Sequence, residues 1–109
     1  MGVDVVLMAV RQRGTSPKGR RLHPVDVVLD PQDRFAQVCA ASRQPMLGRV
    51  DPYRSLVLTR ADMPQFIAEV DAECAAAGDR AVKDLLRRVL GLARECAARE
   101  AHELHLDGD

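Results

Sequence analysis

The feature that most constrains this chain is its second half, where residues 62 to about 101 read as two consecutive helices broken once, at Gly78-Asp79. Asp62 stands where an N-cap accepts from the free amides of a first turn. Pro64 falls in a turn whose amide would be unpaired anyway, and Gln65 has the spacing of a capping box. Phe66, Ile67, Val70, Cys74 and Ala77 then recur at helical intervals and form one apolar stripe, with Gln65, Glu69 and Glu73 on the other side. Gly78 suits a left-handed residue ending the first helix. Asp79 caps the second, whose stripe is Val82, Leu85, Leu86, Val89, Leu90, Ala93, Cys96 and Ala97. Gly91 costs that helix about 1 kcal/mol relative to alanine, and reads either as a close-packing point or as a tolerated glycine. Each large apolar side chain buried from these stripes contributes roughly 1.5–3 kcal/mol, so the pair must dock on an apolar surface.

The first half supplies that surface. Val3 to Val10 is apolar apart from Asp4, the pattern of a central strand covered on both faces. Residues 11–21 are polar and carry Arg11, Arg13, Lys18, Arg20 and Arg21. They lack the glycine-rich turn into a helix that cradles phosphates. The stretch reads as a hairpin loop, with docking to an acidic partner as its functional alternative. Leu22 to Leu29 is a second strand, antiparallel to the first. Val25, Val27 and Leu29 lie on one face, Asp26 and Val28 on the other, and Pro24 sits near the start. Asp30-Pro31 begins a short helix that ends near Ser42 and turns Phe35, Val38 and Cys39 inward.

Residues 43–53 are irregular, yet Met46, Leu47, Val50 and Tyr53 can anchor them. Arg54 to Thr59 is a short strand leading into Asp62. At the end, Leu104 and Leu106 alternate with Glu103 and His105, the two-residue period of a strand that closes the sheet; the competing reading continues the helix. The expected fold is α+β over residues 1–109 as one domain: a small, mainly antiparallel sheet of about four strands with about three helices on one face. The strand order is beyond derivation from periodicity.

Sixteen basic and 16 acidic residues give a formal net charge of zero, which argues against nucleic acid and anionic membrane as partners. Phe35, Tyr53 and Phe66 are the only aromatics, too few for a base-stacking platform. No apolar run is long enough to span a bilayer, and Met1 to Val10 lacks a basic segment of the secretory kind. The three cysteines, Cys39, Cys74 and Cys96, fall on apolar stripes, so a reducing cytoplasm with buried free thiols is expected.

The run Pro45 to Tyr53, the Met63-Pro64 helix start, the Leu-Ala-Arg-Glu-Cys of residues 92–96 and the closing strand ending Gly108-Asp109 together resemble a group of small uncharacterised bacterial α+β proteins. Those proteins share an Asp-Pro-Tyr segment and a terminal strand ending Gly-Asp. The resemblance spans residues 43–109 and implies the same α+β order of elements; it implies no activity.

Candidate sites are few. His105 and Asp107, joined by His23 or Asp26 from a neighbouring strand, are the one metal cluster the sequence allows, and a site needs three or more convergent ligands. No histidine stands beside a cysteine in sequence, and Ser16, Ser42 and Ser55 sit in no nucleophile elbow. No catalytic residue, metal or cofactor is therefore expected. The partner-binding candidates are Arg11, Arg13, Arg20, Arg21, Asp51 and Tyr53. The expected function is a protein-binding or regulatory module, such as one that neutralises a cognate protein as immunity proteins do. The alternatives are a small-ligand or metal binder, and a homo-oligomer such as a homodimer paired through an edge strand or the helix pair.

Overall fold

In the computed structural model, which describes residues 2–12, 14 and 17–108, the alternation at the end of the chain prevails over helix continuation. Strand β4 (His102–Asp107) lies between β1 (Asp4–Gln12) and β3 (Ser55–Thr59), and β2 (Arg20–Val28) pairs with the other side of β1. The order is β2-β1-β4-β3, with every pairing antiparallel. Helices α1 (Arg34–Ala41), α2 (Met63–Ala76) and α3 (Arg80–Ala98) complete the α+β fold. One sheet face carries Val5, Leu7, Val28, Leu58, Leu104 and Leu106, all buried in a common core with Phe35, Met63, Phe66, Val70, Leu86 and Val89 of the helices.

The caps differ from expectation in instructive ways. Asp79 does cap α3, accepting from the amides of Ala81 at 2.7 Å and Val82 at 3.4 Å. Asp62 makes no side-chain cap to α2. It closes a capping box with Thr59 over a 3-10 turn at Arg60–Asp62, and Gln65 donates to Glu69 instead. A tighter turn between β3 and α2 takes the aspartate first. Nor is Gly78 left-handed: α2 ends at Ala76, with the cap Ala77 in extended backbone. The two helices are clasped there by Lys83, whose ammonium donates to the Cys74 carbonyl at 3.0 Å. Gly91 is exposed with open space beside it, so it is the tolerated glycine rather than a packing point.

Two buried carboxylates organise the loops. Helix α1 begins three residues later than Asp30-Pro31 suggested, at Arg34, behind a left-handed Asp33. Asp30 still serves it from a distance. Its carboxylate accepts from Phe35 at 3.0 Å, Ala36 at 2.9 Å and the Val3 amide at 3.1 Å, tying the start of β1 to α1. Its own amide donates to Asp4 at 2.8 Å. Gly2 lies so close to the Asp30 carbonyl that a Cβ would overlap it. Glu69, placed on the polar side of α2 by its spacing, is buried instead. It accepts from the amides of Met46 at 3.0 Å and Leu47 at 2.9 Å, and so holds the irregular segment in the core. Gly108 runs against the Asp51-Pro52 backbone with no room for a Cβ, and its amide donates to Arg54 at 2.9 Å.

The chain passes from α3 to β4 through Ala101, which has φ 54°, while its carbonyl accepts from the Val10 amide at 2.7 Å. A left-handed alanine costs roughly 1–2 kcal/mol. Ala101→Gly is expected to raise stability by about 1 kcal/mol in urea denaturation, since glycine meets no such penalty. Glu69→Ala is expected to lower it by about 3 kcal/mol, because two buried amides lose their acceptor, with Glu69→Gln losing less.

Candidate functional site

Because the helices occupy one face of the sheet, the other is built by the register alone. Val57, His105, Val6 and Val27 fall in one row across all four strands. Thr59, Glu103, Met8 and Pro24 form the next, followed by Val10 opposite Leu22. Ser55, Asp107 and Asp4 line the opposite end. The run read as a strand covered on both faces is therefore central in the sheet but leaves Val6, Met8 and Val10 only half-buried. Leu22, Val25, Val27 and Val57 are 41–45% exposed, and Leu29 is more so. Of the expected face of Val25, Val27 and Leu29, none is buried; Val28 alone in β2 enters the core.

Glu103 is the polar centre of this face. Its carboxylate pairs with the Arg20 guanidinium from β2 and lies 3.0 Å from His105 Nε2. His105 is 9% exposed, enclosed by the valines of its row.

The basic residues divide by face. Arg20 points to the open face, where Glu103 holds it. Arg11 and Arg21 are direct cross-strand partners on the other face, in the ladder that also pairs Ala9 with His23. With Gly19 they line an open cleft of about 280 Å³. The sequence offers His23 as a metal ligand; its parity with Arg21, two residues away on one strand, is the signal that places it in this cluster. Arg13, Ser16 and Asp109 lie outside the described residues.

The other candidates do not converge. Asp51 accepts from the Tyr53 amide at 2.8 Å within its own turn, and Tyr53 projects into solvent beside the end of β4. That is the end of the sheet opposite the arginines. His105 and Asp107 share the open face, whereas His23 and Asp26 lie on the other, so the candidate metal cluster is not assembled. Among the described residues no group of three or more His, Cys, Asp and Glu could hold a metal ion.

The cysteines are free and buried. Burial, reinforced by the negative charges of Asp30 and Glu73, pushes the Cys39 thiol from 9.0 up to about 12. Burial also raises Cys96, aided by Glu103 and opposed by Arg60. Both effects favour the thiol over the nucleophilic thiolate.

Compared with known proteins, the chain matches no family model, and no curated protein or solved structure matches it significantly. Among the described residues no helix is long and apolar enough to cross a membrane.

The raised Cys39 value has a pH consequence. Between 9.0 and about 12 the unfolded chain releases this proton while the folded chain keeps it. Stability therefore falls as pH rises through that window, by up to about 1.4 kcal/mol per pH unit for one such group. Cys39→Ala is expected to flatten the fall, measured by urea denaturation at several alkaline pH values. Iodoacetamide is expected to leave Cys39 of the native protein unmodified at pH 8 and to label it on unfolding, read by mass spectrometry.

Proposed function

We propose that this protein is a protein-binding module, acting on its partner by occupancy rather than by chemistry, and that the partner docks on the open face of the sheet. The observation that carries this reading is the row Val57–His105–Val6–Val27, continued through Met8 and Pro24 to Val10 and the exposed Leu22. An antiparallel sheet with one face in water normally turns polar residues outward. Here β1, β2 and β3 each contribute a valine to the central row, and β4 contributes the buried His105. Ser55, Thr59, Asp4 and Asp107 border it as the polar rim of an interface, and the one charged pair within the face, Arg20 with Glu103, is mutually neutralised. Contiguous exposed apolar surface of this kind marks interaction sites. A module that binds and thereby neutralises or regulates another protein needs nothing further.

Site-specific photo-crosslinking in cells tests the reading. A photoreactive residue replacing Val27 or Val57 is expected to give an adduct of discrete mass, abolished by Val6→Asp. The same residue at Arg87, on the exposed side of α3, is expected to give none. An adduct of twice 12.0 kDa identifies the docked partner as a second copy of the chain. Equal labelling at all three positions, or none at any, overturns the proposal.

A further inference from the structure

We propose a second site, independent of the sheet face: the cleft between Arg11, Arg21 and His23 binds a phosphate monoester group. The ladder creates the site by an irregularity. From Val5↔Val28 to Leu7↔Asp26 the pairing is regular, and continued unchanged it would set Arg11 opposite Leu22. The register shifts between Leu7 and Met8, leaving Val25 without a partner and bringing Arg11 opposite Arg21. Like charges directly opposed across a ladder destabilise it. Among the described residues neither guanidinium has a hydrogen-bond or ion-pair partner, in contrast to Arg20 on the other face, which Glu103 neutralises. The strands thus hold two uncompensated guanidiniums together, and a bound anion would turn their repulsion into shared attraction.

The chemistry of the cleft selects the anion. Each guanidinium is a planar fork suited to a bidentate oxyanion contact. One fork already saturates the two oxygens of a carboxylate. Two forks and an imidazole instead match the three terminal oxygens of a phosphate monoester, which carries a charge of about −1.5 to −2 at pH 7. His23 lies on the same face two residues beyond Arg21, opposite the small Ala9, and Gly19 adds no side chain to obstruct entry. The volume of about 280 Å³ admits a phosphate and the first atoms of its ester. It falls just short of the roughly 300–1,000 Å³ that whole small ligands occupy. Nucleic acid fits less well, because a backbone needs a track of cations. Here the adjoining Arg20 is turned to the opposite face, and the chain has no net charge.

The test is an NMR titration of the ¹⁵N-labelled full chain with inorganic phosphate, O-phosphoserine, acetate and a short DNA duplex. Phosphate and phosphoserine are expected to shift the signals of residues 11, 19, 21 and 23 saturably, about tenfold more tightly than acetate. The double variant Arg11→Ser, Arg21→Ser is expected to weaken phosphate binding by about tenfold or more, with the signals of α2 and α3 unmoved. The same variant should melt at a higher temperature, since the cross-strand repulsion is gone. Arg11→Lys, which keeps the charge but not the fork, is expected to fall between the two. Val27→Asp, which alters the sheet face, is expected to bind phosphate as the native chain does, so the two sites succeed or fail separately. A phosphoserine peptide binding more tightly than the free amino acid assigns the source to a modified protein; equal binding assigns it to a small phosphate ester. Acetate binding as tightly as phosphate, shifts spread over the whole surface, or no shift at all overturns the proposal. So does duplex binding that exceeds phosphoserine and collapses steeply with salt.

Discussion

Everything in this structure depends on one insertion: β4 enters between β1 and β3 and is the partner of both. Leu104 and Leu106 are fully buried in the middle of the sheet, where they meet the helical stripes from below. Without them β1–β2 and β3 would be unconnected fragments, and the helix pair would have no continuous surface to cover. The left-handed Ala101 is the joint that makes the insertion possible. It reverses the chain out of α3 within a few residues, and its carbonyl is already bonded to Val10 of β1. A strained alanine persists there because the ladder on one side and the buried helix on the other leave the backbone no alternative.

Local signals in the sequence located the elements well and the long-range connections poorly. Asp79 was legible as a cap because capping is decided within three residues. The alternation from Glu103 to Leu106 was legible for the same reason. The order of the strands was not, since nothing near residue 104 records that Leu7 and Leu58 flank it. Glu69 shows the limit most plainly. Its helical spacing with Gln65 and Glu73 put it among surface residues, and that inference fails only because residues 46 and 47 bring unpaired amides to it from a distant loop. Asp30 behaves similarly: it does cap a helix, but five and six residues downstream and across to Val3. In both cases a buried carboxylate is satisfied by several main-chain donors, a pattern that composition and periodicity cannot express.

The candidate sites were legible as residue types but not as places. The sequence shows five basic residues in 11–21 as one patch, whereas strand parity divides Arg11 and Arg21 from Arg20. A single bulge decides which arginines face each other and which one reaches Glu103. The open face is half-visible in the sequence: Val25, Val27 and Leu29 read as one apolar side of a strand, but apolarity alone suggests burial. That the three helices all lie on the far side is a property of the whole chain. It turns the same valines from core into surface.

The central position of β4 also bears on how the protein is made. Until residues 102–107 have left the ribosome, the hairpin and β3 each display an unpaired rim, and the core lacks its floor. β3 is uncharged from Ser55 to Thr59 and free of proline, so its short length is its one defence against pairing with a neighbouring nascent chain. Pairing residues 4–9 with residues 102–107 closes the largest loop the fold contains, a slow step in any chain. Until β4 pairs with both neighbours, the sheet therefore has inner rims on β1 and β3 open to water, in addition to the outer edges of β2 and β3 that the finished fold keeps.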